Sequence, residues 1–368
     1  MRISQVTMYH LRMPLLGAFK TSFGSTLERE CILLEGFSEG LVGYGECVAD
    51  WDPGYSYETS GTAWHILSDF LIPEMLSINL ESPQDFQERA THVRGHPMAK
   101  AGLELMLWDL IGKRDGCSLQ DMIGGAGESV QVGVSIGIQE DISKLLESVE
   151  GYLENGYRRV KLKIMPGRDV KDVLSVRQAF PDLMLQVDAN SAYDLDSVKS
   201  LIPLDGMELL MIEQPLAEDD LWDHRQLQKN FSTPICLDES IGSVRHARQA
   251  LEMEACKVIN IKPGRVGGLS QGIAIHDLCY QLNIPVWCGG MLETGVGRAA
   301  NLALASLPGF SLPGDISATD RYYAEDITQE IFELNPGSSI DIPKGPGLGI
   351  SINTQVLEKY TVRKKIIT

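Results

Sequence analysis

Five charged residues stand at near-constant intervals along the second half of this chain, and each ends a short apolar run. VKLK ends at Lys163, QVD at Asp188, MIE at Glu213, CLD at Asp238 and NIK at Lys262, in steps of 25, 25, 25 and 24 residues. Such a step is the length of one strand, one helix and their two turns. Apolar, β-rich runs begin near residues 130, 160, 183, 208, 234, 256, 285 and 310, with helix-like stretches such as 142–153 and 244–252 in the gaps. Eight units of this kind predict a parallel β/α sheet closed into a barrel. An open doubly wound sheet usually carries a glycine fingerprint after its first strand, and VGVSIGIQED has none.

In a closed barrel the C-terminal strand ends share one mouth, where active sites are assembled from several strands. Taken singly, Asp238-Glu239-Ser240 would read as a helix cap and Glu213-Gln-Pro as a turn. Five at one-unit spacing instead converge on one small volume. Asp188, Glu213 and Asp238 form a hard, oxygen-rich set suited to Mg²⁺ or Mn²⁺, because clustered carboxylates repel unless a cation satisfies them. Lys163 and Lys262 would face each other across that cation, whose charge would push their pKa values down toward the range of a useful base. Lys161 lies two residues before Lys163, and Asn190 two after Asp188, so each points to its partner's side of the strand. Gly290, Met291 and Leu292 follow the seventh strand and are candidate substrate contacts.

Residues 1–127 have another character. Short strands are expected around Ile3–Met8 and Cys31–Gly36, with a Gly/Ser-punctuated loop at 17–25 between them. Helical spacing follows at 62–71, 84–93 and 99–113, the last strongly amphipathic, and Gly124–Gly127 reads as a linker. The expected organisation is an α+β domain over 1–127, a barrel over 128–325, and a tail from about 326 to 368 that rejoins the first domain.

With 50 acidic against 32 basic residues, the formal net charge of −18 repels phosphate backbones and anionic lipid. Neither a nucleic acid nor a membrane is therefore an expected partner. The seven cysteines form no CxxC pair and read as buried, reduced thiols. The opening residues contain no signal-peptide core, and no run reaches the ~18 apolar residues that span a bilayer, so a cytoplasmic location is expected.

The motifs Lys161-x-Lys163, DAN ending at Asn190, IEQP around Glu213, LDES around Asp238 and NIKPGRVGG from Asn260 resemble the enolase superfamily, in its muconate lactonizing enzyme-like subgroup. The resemblance spans the whole chain. It implies a modified (β/α)₇β barrel with an α+β capping domain built from the N-terminal region and the C-terminal tail. The run PVWCGGMLETGVGRAANLALASLPGF is most similar to the branch of o-succinylbenzoate synthases that also racemise N-acylamino acids. That branch implies Mg²⁺ on Asp188, Glu213 and Asp238, and Lys163 and Lys262 as an acid/base pair acting on the α-proton of a carboxylate. The implied reactions are dehydration of a cyclohexadiene carboxylate on the route to menaquinone and racemisation of N-succinylamino acids; a homo-oligomer is implied too. Family pattern also points to Phe19, Phe23 and Tyr55 on covering loops, Ser135 on the first barrel strand and Arg265 beside Lys262 as substrate contacts. A dipeptide epimerase or muconate cycloisomerase is the alternative on the same scaffold. A dipeptide epimerase would be expected to carry Asp-x-Asp where this chain reads Gly314-Asp315-Ile-Ser.

Overall fold

The computed structural model describes residues 1–368. Its first element is a four-stranded antiparallel sheet made of β1 (Gln5–Lys20), β2 (Ser25–Ser38), β3 (Leu41–Cys47) and a strand from the far end of the chain, Thr361–Ile367, in the order last-β1-β2-β3. β1 and β2 form one long hairpin in register from Gln5↔Phe37 to Pro14↔Glu28, with an irregularity before Phe19↔Thr26. The loop expected at 17–25 is therefore mostly strand, and only residues 21–24 turn. Gly17 and Ser25 read as breakers in sequence, but an edge of paired backbone overrides that local preference.

The run Cys31-Ile-Leu-Leu34 is apolar on both faces because the sheet is covered on both. Ile32 and Leu34 join a core with Met8, Leu103 and Met106, while Cys31 and Leu33 join a larger core shared with the barrel. The helix Pro97–Asp115 lies between the two. It was expected to be amphipathic, yet every residue from Ala101 to Gly112 is buried, including Glu104 and Asp109. Proline in its first turn, Gly116 at φ 68° beyond its end and the buried Glu58 carboxylate define its limits; Glu58 accepts from the Met98 and Ala99 N–H groups at 2.8 Å each. This helix sits unusually close to the sheet because glycine meets glycine. A Cβ added at Gly45 would lie 2.1 Å from the Gly102 carbonyl oxygen, and one at Gly102 would lie 2.7 Å from the Cys47 nitrogen.

The second body is a seven-stranded parallel sheet. After β4 (Ser129–Gln131) its strands run in chain order: β5 (Val134–Ile136), β6 (Arg159–Lys163), β7 (Met184–Asp188), β8 (Ile212–Glu213), β9 (Ile235–Leu237), β10 (Val258–Ile261) and β11 (Val286–Cys288). Each neighbour pair is parallel, as connection through intervening helices requires. The run expected as the first barrel strand from Val130 divides in two: its start is β4, which pairs antiparallel with β12 (Ser339–Asp341), while Val134–Ile136, with Ser135, is the first strand of the parallel sheet as expected. Val130 to Ile136 alternates without a break as VQVGVSI, and nothing in its pattern marks the change of partner at Gly133. The eighth position is filled by Phe310–Asp315, which is no regular strand. It closes the circle with Asp315 N–H to Cys288 O at 2.8 Å on one side and Gly133 N–H to Gly314 O at 2.8 Å on the other. The last strand is β13 (Thr361–Ile367), already met as the edge beside β1. No helix is long and apolar enough to cross a membrane. Six of the seven cysteines are buried thiols as expected, but Cys117 is exposed at the end of the helix Pro97–Asp115.

The glycine contact yields a prediction. Gly45→Ala forces a methyl group into backbone atoms that cannot swing aside and is expected to destabilise by about 3 kcal/mol. Gly61→Ala, in an exposed helical turn where the nearest atom is 3.7 Å from the added Cβ, should stabilise by about 0.5–1 kcal/mol. Urea unfolding midpoints of the two variants measure both signs.

Candidate active site

Parallel register brings the strand-end charges side by side. Lys163 stands opposite Asp188 across β6 and β7, and Asp188 opposite Glu213 across β7 and β8. Asp238 follows β9 and Lys262 follows β10, so the two lysines are four strand positions apart, on opposite sides of an eight-position mouth. Directly after the carboxylates the chain turns away through left-handed backbone at Asn190 (φ 44°), Ser191 (φ 60°) and Gln214 (φ 38°). Such conformations are costly for residues with a Cβ and persist where surrounding contacts enforce them. Here the Gln214 side chain does so, bonding the Ser240 hydroxyl at 2.8 Å and the Asp238 N–H at 2.9 Å.

The side chains form one continuous network. Lys161 Nζ reaches Asp188 at 3.0 Å, Glu213 at 2.9 Å and Asp315 at 2.6 Å. Lys163 Nζ donates to Asp188 at 2.6 Å and to the Asn190 side-chain oxygen at 2.7 Å. Lys262 Nζ donates to Asp238 at 2.7 Å and to the Tyr55 hydroxyl at 3.0 Å, and that hydroxyl donates to the other Asp238 oxygen at 3.0 Å. Tyr55 thus bridges from the first domain onto the barrel, with Lys262 over its ring at 4.5 Å from the centroid.

Burial and pairing set the protonation. Burial raises the Glu213 carboxyl, and Asp188 and Asp238 raise it further, to about 8. Burial also opposes ionisation of Asp188, but Lys163 and Lys161 outweigh it and hold that carboxyl well below its ordinary range. Lysines pushed down by a cation were expected. Within the protein alone, burial does press Lys262 down, but Asp238 overrides it and raises the ammonium above its usual value. Lys161 is raised likewise, by Asp315, Glu213 and Asp188 against its burial.

No three acidic, histidine or cysteine side chains stand as a ready-made metal cluster, because the carboxylate oxygens are turned onto ammonium groups. Their chemistry nevertheless fits a hard divalent cation. Three carboxylates on adjacent strand ends are fully buried, and two further oxygens there, Glu239 Oε2 and Asn260 Oδ1, are buried without a partner.

A cleft opens above this network. Lys161, Lys163, Asn190, Lys262, Ser135, Gly290, Met291, Leu292, Phe19, Phe23 and Tyr55 all line it, which brings together all but one of the side chains and loop residues singled out for substrate. The Ser135 hydroxyl is buried and has no partner within the protein. Arg265 is the exception. It is buried behind Asp238, bonded to that carboxylate and to the Ile241 and Asn260 carbonyls at 2.8 and 2.6 Å, and does not reach the cleft. Its guanidinium holds a carboxylate from the rear.

Two participants were missed in sequence. Arg159 is fully buried and binds Asp315 at 2.7 Å, and Asp315 in turn holds Lys161. The signal existed: Arg159-x-Lys161-x-Lys163 extends the two-residue alternation one step back. Burial opposes ionisation of Asp315, yet Lys161 and Arg159 hold its carboxyl at about 2. That value lies below the usual 3.8, so the pairing stabilises fully above pH 3.8 and is lost as pH falls through about 2.

Residues 3–124 match the mandelate racemase/muconate lactonizing enzyme N-terminal domain, and residues 144–356 the enolase C-terminal domain-like family. The chain is 45% identical over 367 residues to an o-succinylbenzoate synthase of Bacillus subtilis, covering 100% of this chain and 98% of that one. It is also 45% identical, over 100% of both chains, to an N-succinylamino acid racemase of Thermus thermophilus. A crystal structure of an enolase superfamily member from Listeria innocua superposes with a TM-score of 0.96 at 44% identity, over 100% of this chain and 99% of that one.

Asp315→Asn should leave Arg159 buried with only carbonyl acceptors and cost about 3–5 kcal/mol at neutral pH, read from urea unfolding. The loss relative to wild type should shrink as pH approaches 2.

Proposed function

The chain belongs to the mandelate racemase/muconate lactonizing enzyme family of the enolase superfamily, and on that premise we propose that it is an o-succinylbenzoate synthase that also racemises N-succinylamino acids. Full-length identity of 45–48% to proteins bearing both names supports the assignment. The observation that carries the mechanism is the pair of lysines on opposite sides of one mouth, each lining the cleft and each bonded to a carboxylate.

Asp188, Glu213 and Asp238 would hold Mg²⁺, which when bound neutralises charge developing on a substrate carboxylate as its α-proton leaves. The remaining work falls to this chain's side chains. Lys163 Nζ removes the α-proton from one face, and its bond to Asn190 aims it. In racemisation Lys262 Nζ delivers a proton to the opposite face. In the dehydration Lys163 serves both steps, first as base and then as the acid that protonates the departing hydroxide, while Lys262 stays protonated as a cation beside the enediolate. Lys161, held among Asp188, Glu213 and Asp315, keeps a fixed positive charge below Lys163 and orients two of the carboxylates. Phe19, Phe23 and Tyr55 cover the site and exclude water, and the unpartnered Ser135 hydroxyl is available to a polar arm of the substrate. We further propose a cytoplasmic homo-oligomer acting on a small carboxylate.

Proton NMR in D₂O with Mg²⁺ tests this. Wild-type protein should exchange the α-proton of N-succinyl-L-amino acids, and Lys163→Ala and Lys262→Ala should each slow it by about 10³-fold. Synthase turnover should be lost in Lys163→Ala. Retained exchange in both lysine variants would refute the two-base assignment.

A further inference from the structure

The cleft loop Gly290–Leu292 belongs to the barrel, but it is fastened by the first domain. Glu46 on β3 is buried and carries no basic partner. Its carboxylate accepts from the Thr294 hydroxyl at 2.6 Å, the Thr294 N–H at 3.2 Å and the Gly297 N–H at 2.9 Å. Thr294 is the N-cap of the helix Gly295–Ala305, and the Thr294 and Gly297 N–H groups are donors that the start of that helix leaves without an intrahelical partner. Gly297 makes the contact sterically possible, and Gly295 makes room for Thr328 beside it. A Cβ at Gly297 would lie 2.9 Å from Glu46 Oε2, and one at Gly295 would lie 2.0 Å from the Thr328 hydroxyl.

Only Glu293 separates Thr294 from Leu292, which lines the cleft and whose backbone is left-handed at φ 57°. A leucine adopts that conformation only when held there. The Tyr323 hydroxyl holds it from the other side, donating to the Leu292 carbonyl at 2.5 Å, and the Met291 N–H is tied to Glu293 at 2.9 Å. Both anchors therefore grip the loop at its helix end, one at Leu292 and one at Thr294, and the second of them comes from the capping sheet.

We propose that Glu46 is a positioning residue that sets substrate side-chain selectivity, by fixing Met291 and Leu292 from the first domain. This rests on the reading of the cleft as the acylamino acid site. Glu46 touches neither lysine of the acid/base pair nor the three carboxylates, so it acts on substrate fit and not on proton transfer.

The test compares Glu46→Gln, which keeps shape but sets an amide N–H against a donor, with Thr294→Val, which removes one hydroxyl; the second serves if the first does not fold. Asp109→Asn, altering a buried carboxylate that caps a different segment at Leu348 and Tyr44, is the control. In Glu46→Gln and Thr294→Val, amide hydrogen exchange of residues 290–294 should speed about tenfold. KM for an N-succinylamino acid with a bulky side chain should rise about tenfold, with KM for N-succinylalanine and both kcat values within about twofold. Asp109→Asn should lower Tm without either change. Unchanged exchange at 290–294, a uniform loss of kcat, or the same profile in the control would each overturn the proposal. If wild-type protein turns over no succinylamino acid, the functional assignment falls, and the exchange comparison alone then decides whether Glu46 fixes the loop.

Discussion

The pairing of Lys161 with three carboxylates is the interaction on which the barrel's interior depends. Its ammonium is almost fully buried, as are Asp188, Glu213 and Asp315. Removing each such ion from water costs several kcal/mol, and one pair rarely recovers that. Recovery here comes from sharing: one ammonium serves three anions, Asp315 is shared with Arg159, and Asp188 with Lys163. A shared network tolerates little displacement, so the strands carrying it must be in register, and the left-handed turns after Asp188 and Glu213 are accepted as part of that alignment. Beneath the charges Trp287 closes the barrel, with Lys161 at 4.8 Å and Arg159 at 5.7 Å from its ring centroids. A fully buried indole there gives both cations a polarisable face where no further anion fits.

The first domain solves a different problem, attachment to a barrel without a covalent link at the site. It does so with a buried carboxylate placed on a helix N-terminus: Glu46 caps the barrel helix Gly295–Ala305, where Asp326 also accepts from the Gly295 N–H at 2.9 Å. Glu58 uses the same device within the first domain, on the helix Pro97–Asp115. A carboxylate on unsatisfied N–H groups gains from hydrogen bonding and from the helix dipole together. It can therefore be buried where an isolated acid could not. Burial raises the Glu58 carboxyl to about 7 despite the Met98 and Ala99 N–H groups, which shows how much desolvation such a cap has to offset.

How much of this was legible in the sequence follows from which forces are local. The strand-end charges were legible because a β/α repeat converts position in the fold into a fixed sequence interval, and the lysine alternation because strand geometry has period two. The cleft-lining residues of the loops could be named from family pattern, and they do line it. What stayed hidden was decided by distant partners. Val130 pairs with Ile340, Asp315 is fixed by Arg159 and Lys161, and Arg265 points behind Asp238 because the Ile241 and Asn260 carbonyls take its other nitrogens. The helix Pro97–Asp115 carries two acids, Glu104 and Asp109, that in sequence suggest contact with solvent. Its burial on all sides depends on a sheet and a barrel that each supply partners for those groups, such as Ser270 and Leu348.

The two halves of the cleft differ in how tightly they are built, and that difference bears on the two proposed reactions. On the barrel side every charged group is held by at least one partner within 3.0 Å, so proton removal and return are confined to two fixed nitrogens. On the covering side Phe23 is 43% exposed, and Phe19 is partly buried and meets Tyr322 edge-on at 6.3 Å between centroids. Apolar contacts of that kind discriminate between substrates by roughly 1–3 kcal/mol, far less than the charged network contributes to orienting the carboxylate. Two acids that share an α-proton beside a carboxylate and carry a succinyl arm differ mainly in what the covering side sees. Under the proposed function, a rigid proton-transfer floor beneath a permissive roof would admit both dehydration and racemisation, and a change of preference between them would come from the roof and from the loop that Glu46 and Tyr323 hold beneath it.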